Sequence, residues 1–271
     1  FKIGVHSKFN LTVKDTKVVV DDIKDSIGIY LEEGKATVQS SNVNGYTGIY
    51  NIADTTIKNS QITGIKYGVL SENNLNLVGT DAKSTNVSDE ISGAGLFVKS
   101  GAVDMKDNST VNGYFGLINQ GIANMSASVS IGIKIGVYNI SGEIILTTSS
   151  VVRGEIGIAN ESSVTVEMAE IKGSSRFGIH NHGTVLINSG KILSDGDDSY
   201  GIYNEGGVVT LNEGQVVGHN GVYNDKEIHI VKGIINALEG LGINNYGKVT
   251  IGNKDGEISP ADILKPYLAR G

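Results

Sequence analysis

One short unit returns along this chain at nearly constant spacing: a glycine, an aliphatic residue, usually an aromatic, then usually asparagine. Its glycine falls at Gly4, Gly28, Gly48, Gly68, Gly95, Gly116, Gly136, Gly157, Gly178, Gly201, Gly221 and Gly242. Successive copies lie 24, 20, 20, 27, 21, 20, 21, 21, 23, 20 and 21 residues apart. A unit this short cannot bury its own apolar face, so the chain must stack its copies.

The stacking element is a strand. No run carries the 3.6-residue period of a helix, and each unit instead holds β-branched stretches separated by Gly, Asn, Ser or Asp. The ninth copy reads Phe177 to Asn181, a turn, Thr184 to Asn188, a turn, then Lys191 to Leu193. The tenth repeats this with Tyr200 to Asn204, Val208 to Leu211 and Gln215 to Val217. Three short strands per unit predict an all-β fold, a single right-handed parallel β-helix of about twelve coils over residues 1–258. The Leu-x-x-Leu-x-Leu spacing of leucine-rich repeats is absent. At a strand spacing of ~4.8 Å, twelve coils make a rod of roughly 55–60 Å.

Alternation along the first strand assigns its faces. The residue before the glycine, the residue after it and the asparagine are expected to point inward together. The position after glycine is Ile, Val or Leu in every copy. Asparagine holds the fourth position at Asn51, Asn119, Asn139, Asn160, Asn181, Asn204, Asn224 and Asn245, with Ser7, Leu31, Ser71 and Val98 as exceptions in the first five copies. A repeated inward amide can bond its equivalents above and below and tolerates left-handed backbone, so these asparagines are read as an architectural ladder.

The third position points outward and reads His6, Tyr30, Tyr50, Leu70, Phe97, Ile118, Tyr138, Ala159, His180, Tyr203, Tyr223 and Asn244. Exposed rings on a rigid surface can stack on sugars or anchor a protein partner, or they can simply stabilise neighbouring strands. Tyr30, Tyr50, Tyr138, His180, Tyr203 and Tyr223 are the ligand-binding candidates, with Tyr203 and Tyr223 leading.

Two turns are over-long, one near Asp81 to Ser92 and one at Asp195 to Ser199, and such loops commonly carry binding or chemistry. Ser259 and Pro260 resemble the cap and first residue of a short helix, so residues 259–271 form a tail that either caps the rod or begins another domain. The chain opens on Phe1 and is expected to be an excerpt of a longer protein with flanking domains.

Composition narrows the function. Zero cysteines among 271 residues remove disulfides, thiolate metal sites and cysteine catalysis. A net charge of −7 argues against nucleic acid as a partner, since phosphate binding needs clustered Lys and Arg. No apolar run nears the roughly 18 residues of a membrane-spanning helix, so no membrane insertion is expected of this segment. Neither an EF-hand loop nor a Gly-Gly-x-Gly-x-Asp array is present, and no cofactor or dedicated metal site is expected. An incidental ion at Asp195, Asp197 and Asp198 stays open, and His180 and His182, two apart on one strand, either share a metal or face solvent.

Asp197 and Asp198 precede one first strand, and His219 stands at the same place one coil later. Stacked carboxylates beside a histidine could protonate a glycosidic oxygen and activate water. Here the strings Gly196-Asp197-Asp198 and Gly218-His219-Asn220-Gly221 resemble polygalacturonase-type glycoside hydrolases. That family places a further Asp one coil earlier, where this chain has Ser174 to Phe177 without an acid. Its Arg-x-Lys pair is replaced by Lys248 and Lys254.

The regular Gly-Ile-Tyr-Asn units, without cysteine and with two prolines, are similar to the passenger regions of bacterial autotransporter surface proteins. The resemblance runs from Gly4 to about Ile258. It implies secretion to the outer surface and a non-enzymatic role as an adhesin or stalk, binding a host glycan or surface protein through the outward face and inserted turns. A polysaccharide hydrolase or lyase using Asp197, Asp198 and His219, and a passive spacer, are the alternatives.

Overall fold

The computed structural model describes residues 2–21, 23–86, 88 and 93–252, and every regular element among them is a β-strand. The tail from Ser259, with its expected helix, lies outside the described residues. All strand pairings are parallel and join equivalent positions of successive coils, as in Ile179 with Ile202, His180 with Tyr203 and Asn181 with Asn204. The chain is therefore a parallel β-solenoid of about twelve coils.

Each of the first eleven coils has three strands, seen in the second as Ile27–Leu31, Lys35–Gln39 and the start of Asn42–Asn51. The second strands stack into a sheet of 12, while the third and first strands, often fused across a bend, form one of 17. Three aliphatic columns fill the interior. They pass through Ile49, Ile57 and Ile62 near one end and through Ile202, Leu211 and Val216 near the other, each at most 1% exposed. Apolar burial on this pattern, rather than intrinsic strand preference, holds the coils together.

The face assignment needs one correction. The residue after glycine is interior as expected, but the residue before it is not generally so. Tyr67, Phe115, Phe177 and Tyr200 are half-buried and lie beside the outward rings of neighbouring coils. The cause is a bend at the glycine. A Cβ on Gly48 would sit 2.6 Å from the carbonyl oxygen of Gly68 and 2.7 Å from Cγ2 of Ile62. Gly48 thus turns inward at a site with no room for a side chain, and strict alternation breaks there. A second glycine column, including Gly45, Gly64, Gly113 and Gly132, completes the bend from the other side. At Gly64 a Cβ would overlap the Tyr67 carbonyl.

The first over-long turn is also shorter than expected. Asp81–Ser84 is an ordinary third strand, in register with Gln61 to Gly64 on one side, so the extra chain begins only after Ser84. Residues 87 and 89–92 of that stretch lie outside the described residues.

Candidate functional site

The fourth-position asparagines occupy the corner between first and second strands, fully buried from Asn119 through Asn224. Each side-chain amide donates to the side-chain carbonyl of the next coil. The bonds run Asn119 to Asn139 (2.9 Å), Asn139 to Asn160, Asn160 to Asn181 and Asn181 to Asn204 (2.8 Å each), then Asn204 to Asn224 and Asn224 to Asn245 (2.7 Å each). The remaining lone pairs and protons serve the turn: Asn181 accepts from the Gly183 N–H at 3.1 Å and donates to the Gly183 carbonyl at 2.9 Å. None of these asparagines has positive φ, so left-handed tolerance is not why the amide stands here. Its reason is hydrogen-bond capacity in a place water does not reach.

Where this ladder is broken, another column is bonded. Ser41, Ser60, Thr80 and Ser109 are buried at the corner between second and third strands. Their hydroxyls accept backbone N–H groups from the preceding coil: Thr16 to Ser41 (3.2 Å), Ser41 to Ser60 (3.1 Å) and Thr80 to Ser109 (3.2 Å).

On the outside, the six candidate rings Tyr30, Tyr50, Tyr138, His180, Tyr203 and Tyr223 are all half-buried. They do not form one stripe. Ile118 and Ala159, 8% and 7% exposed, interrupt the column, and Tyr138 pairs instead with Phe115 at 5.9 Å. One ridge stacks His6, Tyr30 and Tyr50 at 4.9 and 5.1 Å. A second stacks Phe177 on Tyr203 at 4.7 Å and Tyr203 on Tyr223 at 4.3 Å and 10°. The ring faces are thus turned on one another, and their edges are left for solvent. Burial, then the neighbouring Tyr223 and Glu205, push the Tyr203 hydroxyl pKa up. The Tyr50 hydroxyl is raised further by burial, then by its 2.6 Å hydrogen bond to Glu72.

A charged column that sequence reasoning missed runs beside these ridges, on the residue following the fourth position. Glu32 accepts from His6 and pairs with Lys8, Glu72 binds Tyr50 and Lys99, and Glu205 meets His180 at 3.0 Å and His182 at 3.3 Å. Reading the column two places beyond the aromatics, as the aromatics themselves were read, would have found it.

The second over-long turn carries Asp197 and Asp198. Asp198 is 99% exposed, with Oδ1 3.8 Å from Nε2 of His219, while Asp197 is exposed and Asp195 is bound by Lys172. The second nitrogen of His219 faces Glu239 at 4.0 Å. Ser194 and Ser199, at the two roots of the turn, bury hydroxyls that find no hydrogen-bond partner. A shallow hollow of about 620 Å³ lies elsewhere, on the third face, lined among others by Asn42, Asn44, Gln61, Thr63 and Thr85. None of the candidate rings and neither aspartate lines it.

Compared with known proteins, the chain matches no family model, no curated protein and no solved structure.

Proposed function

We propose that this solenoid is a non-enzymatic adhesin or stalk module of a bacterial cell surface, of the autotransporter-passenger type, which engages a host-cell surface protein or glycan. The observation that carries the reading is the second ridge: Phe177, Tyr203 and Tyr223 stacked face on face on a rigid sheet, the two tyrosines in register. Rings already stacked on one another offer edges rather than open faces. That surface suits a flat contact with a protein, where Tyr is favoured, better than stacking on a sugar ring. Secretion to the outer surface, and flanking domains that present the rod, belong to the same reading.

The test is binding of the purified chain to intact cells and to a glycan panel, beside a Tyr203→Ala/Tyr223→Ala variant. We expect saturable cell binding that falls at least ~10-fold in the variant, the effect of losing a pair of aromatic anchors. Binding that is absent from cells and glycans alike would leave a passive spacer. A hydrolase reading has the 3.8 Å approach of Asp198 to His219 in its favour. Reducing-end release from acidic or neutral polysaccharides, abolished by Asp197→Ala/Asp198→Ala, would replace the adhesin reading with that one.

A further inference from the structure

We propose that His180, His182 and Glu205 form a binding site for a divalent cation of the zinc class, with Glu161 as its supporting carboxylate. The inference is independent of whether the ridge engages a partner.

The donors converge. Oε2 of Glu205 lies 3.0 Å from Nε2 of His180 and 3.3 Å from Nε2 of His182, and the three ligand atoms fall within 4.8 Å of one another. A tetrahedral ion with bonds of about 2.1 Å holds its donors about 3.4 Å apart, so the side chains need only small adjustments to close around one. Among the described residues no other group of three His, Asp or Glu donors meets this spacing. The other histidine–carboxylate contacts, such as His6 with Glu32 and His229 with Glu227, offer one imidazole each.

The scaffold fixes the positions. His180 and His182 flank Asn181, which the buried ladder locks in place, and Glu205 follows Asn204 of the same ladder. The His180 ring is confined between Phe177 at 5.1 Å and Tyr203 at 5.5 Å. Nδ1 of His182 lies 3.1 Å from Oε1 of Glu161 on the preceding coil. A proton held on Nδ1 by that carboxylate leaves the Nε2 lone pair aimed at the ion, the outer-sphere arrangement that orients metal-binding histidines. The side chains of His180, His182 and Glu205 are 23%, 35% and 50% exposed, so the ion can enter from solvent and keep water in its open position.

Donor chemistry sets the ligand class. Two imidazole nitrogens and one carboxylate suit Zn²⁺, Cu²⁺ or Ni²⁺, whereas Ca²⁺ and Mg²⁺ require oxygen-rich shells.

Titration of the 271-residue chain with ZnCl₂ by calorimetry tests the site. One saturable equivalent is expected, with no comparable heat from CaCl₂ or MgCl₂. Affinity should fall at least ~100-fold in His180→Ala/His182→Ala and in Glu205→Gln. It should fall about 10–100-fold in Glu161→Gln, in keeping with loss of an outer-sphere carboxylate. His6→Ala should bind as the parent does. Circular dichroism checks that each variant is folded, and the half-exposed Glu205 provides a variant that leaves the histidine packing intact. Absence of saturable Zn²⁺ binding would overturn the site. So would binding that survives unchanged in folded Glu205→Gln or in the double histidine variant.

Discussion

At the scale of single residues, asparagine and tyrosine alternate across one backbone position and do opposite work. In the tenth coil Asn204 is fully buried and spends every polar atom inside the rod, while its neighbour Tyr203 stacks outside it. An amide in a dry corner is tolerated only while its partners are present, because each unmet donor or acceptor carries a desolvation cost. Asn181→Ala therefore removes more than one hydrogen bond. It strands the acceptor of Asn204, the Gly183 N–H and one partner of the Asn160 amide. We expect a loss of about 2–4 kcal/mol, several unmet buried groups at ~1–3 kcal/mol each less some relaxation. Urea unfolding measures it, and a variant within 1 kcal/mol of its parent, below the ~1–3 kcal/mol cost of even one unmet group, would mean the ladder is ornamental. The asparagine column could be read directly because its residue type and spacing are both conspicuous. The serine column of Ser41, Ser60, Thr80 and Ser109 was not, since serine in a turn looks the same whether its hydroxyl faces water or a buried N–H.

At the scale of strands and corners, the period followed from glycine spacing and the solenoid from the short β-branched runs between turns, but the bend followed from neither. Period-2 alternation holds only along an uninterrupted strand. At Gly48 and Gly64 the backbone packs against the next coil or its own corner so closely that a Cβ has no space, and the chain resets which side it faces. This is why Phe177, expected inside, joins Tyr203 outside. The charged column escaped notice for a related reason: Glu72 gains meaning only when Tyr50 and Lys99, one coil away on either side, are stacked against it. The hydrogen bond from Lys99, then that from Tyr50, holds the Glu72 carboxyl below its ordinary value of 4.5 despite opposing burial. Unfolded chains consequently bind more protons between the folded pKa and 4.5, and stability falls as pH drops through that window. At neutral pH, Glu72→Gln should cost up to about 1 kcal/mol, the scale of a partly exposed ion pair. The gap between variant and parent should close in acid, where the parent carboxyl is protonated too. Chemical denaturation of both proteins across the acid range checks the sign, and a gap that widened in acid would contradict it.

At the scale of the whole rod, every strand among the described residues pairs only with the coils immediately before and after it. The strand of Ile202 meets Ile179 on one side and Val222 on the other. Yet the buried side chains form one continuous core from Val13 to Ile230. These two facts pull against each other in deciding how the molecule unfolds. Nearest-neighbour pairing favours local opening, whereas a shared core and the amide ladder from Asn119 to Asn245 couple coils over distance. Ile202→Asp separates them. The site is fully buried, so the aspartate must be desolvated or drag water into the stack, at a cost of at least ~3 kcal/mol. If nearest-neighbour coupling dominates, hydrogen exchange will accelerate in the coils around residue 202 and stay slow between Ile49 and Leu117, on coils that never touch it. A rod that instead lost protection evenly from end to end would be a single cooperative unit. Its core would then be transmitting a local charge over the whole length, and the summation of independent coils would fail. We expect the local result, because among the described residues no strand pairing or ladder bond skips a coil, and coupling must therefore pass through every intervening interface in turn.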